Sequence, residues 1–212
     1  MNDLWYPKSN EQEKQYMTNN MHELLDFWFG PLGSADLPTS DRTQLWFGEQ
    51  SAIREELLTH FNYLYQDAAA GKLSDWEASA RGSLALIIML DQFTRYLHHH
   101  SKEAFSQDEH ALQICLSGIE KKLDHELTLI ERVFFYMPLV HSENAAHQEH
   151  SIRLYQQLAS LSMAETSQVY QLFLAYAYAH FRVIKEFGRF PQRNTVLGRE
   201  STSAELAFLK SA

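Results

Sequence analysis

Residues 84–98, LALIIMLDQFTRYLH, decide the architecture. Leu84, Ile87 and Ile88 recur at the spacing that gathers side chains on one helix face, and every residue from Leu84 to Leu90 is apolar. The stretch reads as a core helix. At the same spacing the stripe then continues through Asp91 to Arg95, an i, i+4 pair of opposite charge on the face that otherwise packs inward. Such a pair either ties a helix end down where it meets solvent or lines a cavity, and both readings stand.

Working outward, Val169 to Ile184 is a second apolar helix, interrupted by Gln171, His180 and Arg182. Neither stretch approaches the roughly 20 apolar residues that a membrane span requires, so no membrane is expected as a partner. Ser or Thr followed three residues later by Glu is the signature of a capping box, and it occurs at Ser74/Glu77, Ser106/Glu109, Thr128/Glu131, Ser162/Glu165 and Thr202/Glu205. Each precedes an apolar sequence of helical period. Helices are predicted over 21–29, 42–70, 75–98, 107–122, 129–138, 143–160, 164–187 and 202–210, with Gly71 and Gly188 as stops. No strand-like alternation competes. The expected fold class is all-α, with antiparallel helix pairs or an irregular bundle of about eight helices joined by short loops. No repeat of roughly 34 residues is evident.

The 212 residues suit one domain, and no Pro-, Gly- and Ser-rich linker divides them. A net charge of −9 argues against nucleic acid as a partner. The lone Cys115 cannot close an internal disulfide, and the polar first 20 residues lack the apolar core of a signal peptide, so a cytoplasmic location is expected.

Several polar residues stand where the core should be. In TLIERVFFYMPLVHSE (128–143), Glu131 has a task as capping partner of Thr128, whereas Arg132 has Leu129, Phe135 and Tyr136 as helical neighbours and needs a carboxylate or an anion. Pro138 should end that helix, leaving His141, Ser142 and Glu143 in a loop from which side chains reach a cleft. His180 lies on a stripe with Phe173, Tyr176, Ile184 and Phe187, as a hydrogen-bonded core residue or an acid–base group. Between His180 and Glu200, five basic residues (Arg182, Lys185, Arg189, Arg193, Arg199) face two acidic ones, Glu186 and Glu200. The arginines of this loop either clamp a phosphate or carboxylate or stitch the loop to acidic helices.

Glu143, His147 and His150 have a spacing that could hold a metal from one helix face, but such faces are usually just solvated. The triplet His98, His99, His100 is a weaker candidate, because consecutive residues at a helix end point in different directions. No phosphate loop, dinucleotide fingerprint, nucleophile elbow or H-E-x-x-H motif occurs, and neither a metal nor a cofactor is expected.

The segments LLDFWFG (24–30), LWFGEQ (45–50), LALIIMLDQFTRYL (84–97), AFSQDEHAL (104–112), ERVFFYMPLVHSENAAHQ (131–148) and FGRFPQRNTVLGREST (187–202) together resemble the bacterial family known as domain of unknown function 924. The resemblance covers about residues 21–210 and leaves 1–20 outside it, as a flexible extension preceding a single helical domain over 21–212. It implies a helical fold similar to the tetratricopeptide-like superfamily and no established activity. The family pattern usually carries Pro-Arg-Asn where this chain has Thr94, Arg95 and Tyr96, and His at Gln192. Its shared motifs coincide with Asp91, Gln92, Arg95, Arg132, His141, Glu143, His180, Arg189, Arg193 and Asn194.

Two functions follow as expectations. In the first, Arg95, Arg132, Arg189 and Arg193, with Gln92 and Asn194, hold a small anionic ligand. His141 or His180 then serves as acid or base, oriented by Asp91 or Glu143. In the second, the chain is a non-catalytic scaffold that binds a peptide or protein partner.

Overall fold

The computed structural model describes residues 10–48 and 50–211. Among these the chain is all-α, apart from one isolated bridge between Leu32 and Pro38. The helices are α1 (Asn10–Phe29), α2 (Thr43–Phe47), α3 (Gln50–His60), α4 (Asn62–Ala69), α5 (Ala80–Ile87), α6 (Thr94–Leu97), α7 (Asp108–Glu120), α8 (Leu129–Phe135), α9 (Met137–His141), α10 (Ala145–Leu161), α11 (Ser167–Phe187) and α12 (Ser203–Ser211). Short 3-10 turns at Ser74–Ala78, Lys102–Phe105, Leu123–Glu126 and Pro191–Arg193 connect them.

The α5 segment is the hub. Leu84 to Leu90 are all buried, because α1, α7 and α8 each pack on α5, and a helix apolar on all sides is stable only when enclosed. Trp28 of α1 fills the centre, with its ring 5.5 Å from Phe134, 5.7 Å from Phe93 and 6.4 Å from Tyr96. At the α7–α8 contact Gly118 has no room for a Cβ, which would lie 2.5 Å from Cζ of Phe135. The outer layer is the long antiparallel pair α10 and α11. Gly188 ends α11 with φ +69°, as its stop role predicts.

Several boundaries differ from the sequence reading for identifiable reasons. The predicted helix 42–70 is three helices, and the predicted helix 129–138 is α8 followed by α9, with Pro138 starting the second piece rather than ending the first. Helix α1 starts at Asn10, within the stretch read as an extension. Buried Asn20 accepts a hydrogen bond from the Tyr63 hydroxyl at 3.1 Å, and residues 1–9 lie outside the described ones. Of the five capping boxes two form. Thr128 donates through its backbone N–H and hydroxyl to Glu131, and Thr202 and Glu205 satisfy one another's backbone N–H groups. Ser74 starts a 3-10 turn, Ser106 precedes a helix whose first residue is Asp108, and Ser162 closes α10 instead of opening α11.

No described helix is long and apolar enough to cross a membrane.

Candidate functional site

Between α5 and α6 the backbone widens into a π-helical turn, Ile88–Phe93. One extra residue in the turn swings both Asp91 and Gln92 inward, where they are 0% and 8% exposed. The turn is held by Thr94, whose buried hydroxyl donates to the carbonyls of Leu90 at 2.7 Å and Met89 at 3.2 Å. Asp91 thereby meets His141 at the end of α9. The Nδ1 of His141 lies 2.7 and 2.9 Å from the two carboxylate oxygens, and the Gln92 amide donates to the same carboxylate.

Burial, the largest influence on Asp91, favours its neutral form, yet the Arg95 guanidinium and His141 outweigh it and hold the carboxyl at about 2. His141 moves below its ordinary value, driven first by burial and second by Arg95, against the opposing pull of Asp91. At neutral pH the dyad is therefore a carboxylate accepting Nδ1–H from a neutral imidazole. That leaves the lone pair of Nε2 free, with no hydrogen-bond partner among the described residues.

Around the dyad, acids and bases alternate. Arg95 Nη1 lies 3.2 Å from Asp91 Oδ1 and donates to the Asp91 carbonyl at 2.5 Å, while its Nη2 is 3.0 Å from Asp108 Oδ1. That second approach is poorly aligned, and neither atom makes a hydrogen bond through it. Arg193 donates to Asp108 Oδ2 and to the His141 carbonyl, both at 3.0 Å, and lies between the rings of Phe105 and Phe190 at 4.4 and 4.6 Å. Glu143 receives Arg199 through both of its oxygens, at 2.6 and 3.0 Å, and the Phe190 N–H at 2.8 Å. Asn194 accepts from Arg199 Nε at 3.0 Å and donates to Ser201, bracing that clamp.

His141, Asp108, Ser142, Glu143 and Arg193 line a hollow of about 310 Å³ whose apolar walls are Phe105, Leu112, Pro138 and Leu197. On the other side of Phe105 and the Arg95–Asp108–Arg193 bridge lies a second hollow of about 230 Å³.

The structure thus brings together Asp91, Gln92, Arg95, His141, Glu143, Arg193 and Asn194. His180 lies beside them, its ring 6.3 Å from that of His141, with Nδ1 on the Tyr176 carbonyl and a third hollow at its other side. Two residues are directed elsewhere. Arg132 donates to the carbonyls of Leu127 and His125, at 3.1 and 2.9 Å, which satisfies the guanidinium without a carboxylate. Arg189 forms a two-pronged pair with Glu205, at 2.7 and 2.9 Å.

The basic excess of the C-terminal loop is therefore met arginine by arginine: Arg189 by Glu205, Arg193 by Asp108 and Arg199 by Glu143. Glu143 is taken up by Arg199, and among the described residues no group of three or more His, Cys, Asp or Glu could hold a metal ion. Sequence reasoning did not single out Asp108 or Phe105. Asp108 sat unmarked beside a capping motif, and only tertiary contact reveals its bridge.

Comparison with known proteins agrees with the fold. The model of the family described as "Bacterial protein of unknown function (DUF924)" matches residues 24–212. A solved structure of a protein of unknown function from Agrobacterium tumefaciens is similar at a TM-score of 0.77 and 29% identity, covering 92% of this chain and 99% of that one. No curated protein matches the sequence.

Proposed function

Since the chain belongs to the DUF924 family, a family without an assigned activity, its function has to be read from its own site, and we infer that it acts on a small polar molecule by general-base catalysis. One observation carries this reading: a neutral His141 fixed through Nδ1 by a fully buried, ionised Asp91, at the wall of a hollow of about 310 Å³. An imidazole so oriented takes a proton at Nε2, and its carboxylate partner stabilises the imidazolium that forms. Arg193, which lines the same hollow, supplies positive charge for negative charge that develops on the substrate. Because Asp108 and Glu143 already neutralise the arginines here, a strongly anionic substrate is less favoured than a neutral one that gains charge during reaction.

The test is a turnover screen of purified protein against ester, amide and phosphate-ester panels, repeated with His141→Gln and Asp91→Asn. General-base loss should lower any turnover by about 10²–10⁴-fold. Full turnover in His141→Gln would end this reading.

One observation favours a scaffold role as well. Leu172 and Tyr176, one turn apart on α11, are 65% and 38% exposed, an apolar strip that a partner helix could cover. A scaffold of that kind leaves the screen empty.

A further inference from the structure

We propose that the hollow of about 230 Å³ bounded by Arg95, His99, His100, Ser101 and Gln192 is a separate binding site for an oxyanion of the phosphate class. Its lining is one-sided in chemistry. A guanidinium, two imidazoles, an amide and a hydroxyl face it, together with Ala104, Phe105 and Val196, and no carboxylate does. In a chain of net charge −9 that is an improbable composition for an idle surface dent.

The histidine triplet divides here against the sequence expectation. His98 turns away to the Tyr65 hydroxyl at 3.1 Å, whereas the rings of His99 and His100 come to 3.5 Å between centroids. His100 adopts φ +63°, the left-handed region that few non-glycine residues enter. Both imidazoles, and the exposed Gln192 amide, have no hydrogen-bond partner among the described residues, and the Ser101 hydroxyl, which donates to the His98 carbonyl at 3.0 Å, keeps its acceptor side open.

The neutral donors of the lining, more than Arg95, set the sign of the ligand. The Arg95 guanidinium is held behind the lining by Asp91 at 3.2 Å and Asp108 at 3.0 Å, so it borders the hollow as a fixed, paired charge. A metal ion finds two imidazoles here but no carboxylate in the lining, and among the described residues no group of three or more His, Cys, Asp or Glu could hold one. An anion accepts N–H donors from the imidazoles and the amide, and a tetrahedral one offers oxygens to donors arriving from several directions, which a planar carboxylate does not.

The proposal stands apart from the dyad reading, since the one lining residue common to the two hollows is Phe105. The experiment is calorimetric titration of the full chain with inorganic phosphate and, separately, glycerol phosphate, against a chloride control. Three variants are compared: Gln192→Glu, which places a carboxylate at the exposed rim; a His99→Ala, His100→Ala double; and His141→Gln. Saturable phosphate binding is expected, at least tenfold weaker in the first two variants and unchanged in His141→Gln. Tighter binding of glycerol phosphate identifies a phosphorylated small molecule as the occupant, and equal binding identifies free phosphate. Absence of saturable binding, or equal binding by the parent and Gln192→Glu, overturns the proposal. Loss of binding in His141→Gln alone overturns the separation from the dyad.

Discussion

Asp91 concentrates the electrostatics of this molecule in one side chain. It is fully buried and touches His141, Gln92 and Arg95, so removing it strands an imidazole and a mostly buried guanidinium together. Breaking such a pair by truncating one partner costs far more than the pair contributes, and Asp91→Ala should lose about 3 kcal/mol in urea unfolding, with Asp91→Asn milder. The dyad also sets a pH dependence. Both partners have folded values below their ordinary ones of 6.5 and 3.8, so the unfolded chain binds more protons than the folded one as pH falls. Stability is accordingly complete above about pH 6.5, declines as His141 is forced to take a proton, and declines again between 3.8 and about 2 as Asp91 does. His99, His150 and His180 are also held below their ordinary values, so the parent's slope is shared. The difference in unfolding free energy between parent and His141→Gln isolates the dyad, and it should shrink from pH 7.5 to 5.5. A constant difference would show that His141 titrates alike in both states.

At the scale of elements the decisive feature is the π-helical turn. An uninterrupted α-helix through residues 84–97 would place Asp91 and Gln92 about 100° apart and drive one of them toward apolar packing. In the widened turn both are buried, and the Gln92 amide donates to the Asp91 carboxylate. Thr94 holds the widened turn by giving its hydroxyl proton to the Leu90 carbonyl at 2.7 Å. Thr94→Val keeps the shape, removes that bond, and is expected to cost about 1 kcal/mol. Amide exchange should quicken over residues 88–95 before it quickens in α7 or α8. An unchanged pattern would mean that packing alone maintains the turn. This element also marks the limit of what patterning shows. The i, i+4 relation of Asp91 and Arg95 was legible in the sequence, and so was the inward face that carries them. The π-turn was not, because it packs against α4 and α7 and leaves no signature in the local periodicity. Asp108 was hidden for a similar reason: its contact joins the start of α7 to the C-terminal loop across 85 residues of sequence.

For the whole molecule, the contrast lies between an apolar body and a polar cover. The body around Trp28, Phe93 and Phe134 is held by buried rings, and the helical content, the long outer pair and the core stripes followed from periodicity alone. The segment after Gly188 is different. It lies over the dyad, anchored by the buried Phe190 ring and fastened by charged contacts: Arg199 on Glu143, Arg193 on Asp108 and the His141 carbonyl, and Arg189 on Glu205. Reversed local charge in a sequence of net −9 announced the arginines but not their partners, since each carboxylate comes from another element. Glu143 is the fastening whose loss should be most selective. It is partly exposed, receives two guanidinium nitrogens and the Phe190 N–H, and contributes nothing to the apolar body. Removing it leaves Arg199 paired only with Asn194 and the Phe190 carbonyl. Glu143→Ala should therefore open the cover while the body stays folded, since local opening is governed by the contacts a segment makes with the rest. Limited trypsin digestion is expected to cut at Arg189, Arg193 or Arg199 several-fold faster than in the parent, with helical circular dichroism at 25 °C unchanged. If the variant instead unfolds as a unit, cutting throughout the chain at one common rate, the C-terminal segment is part of the cooperative core and not a cover over it.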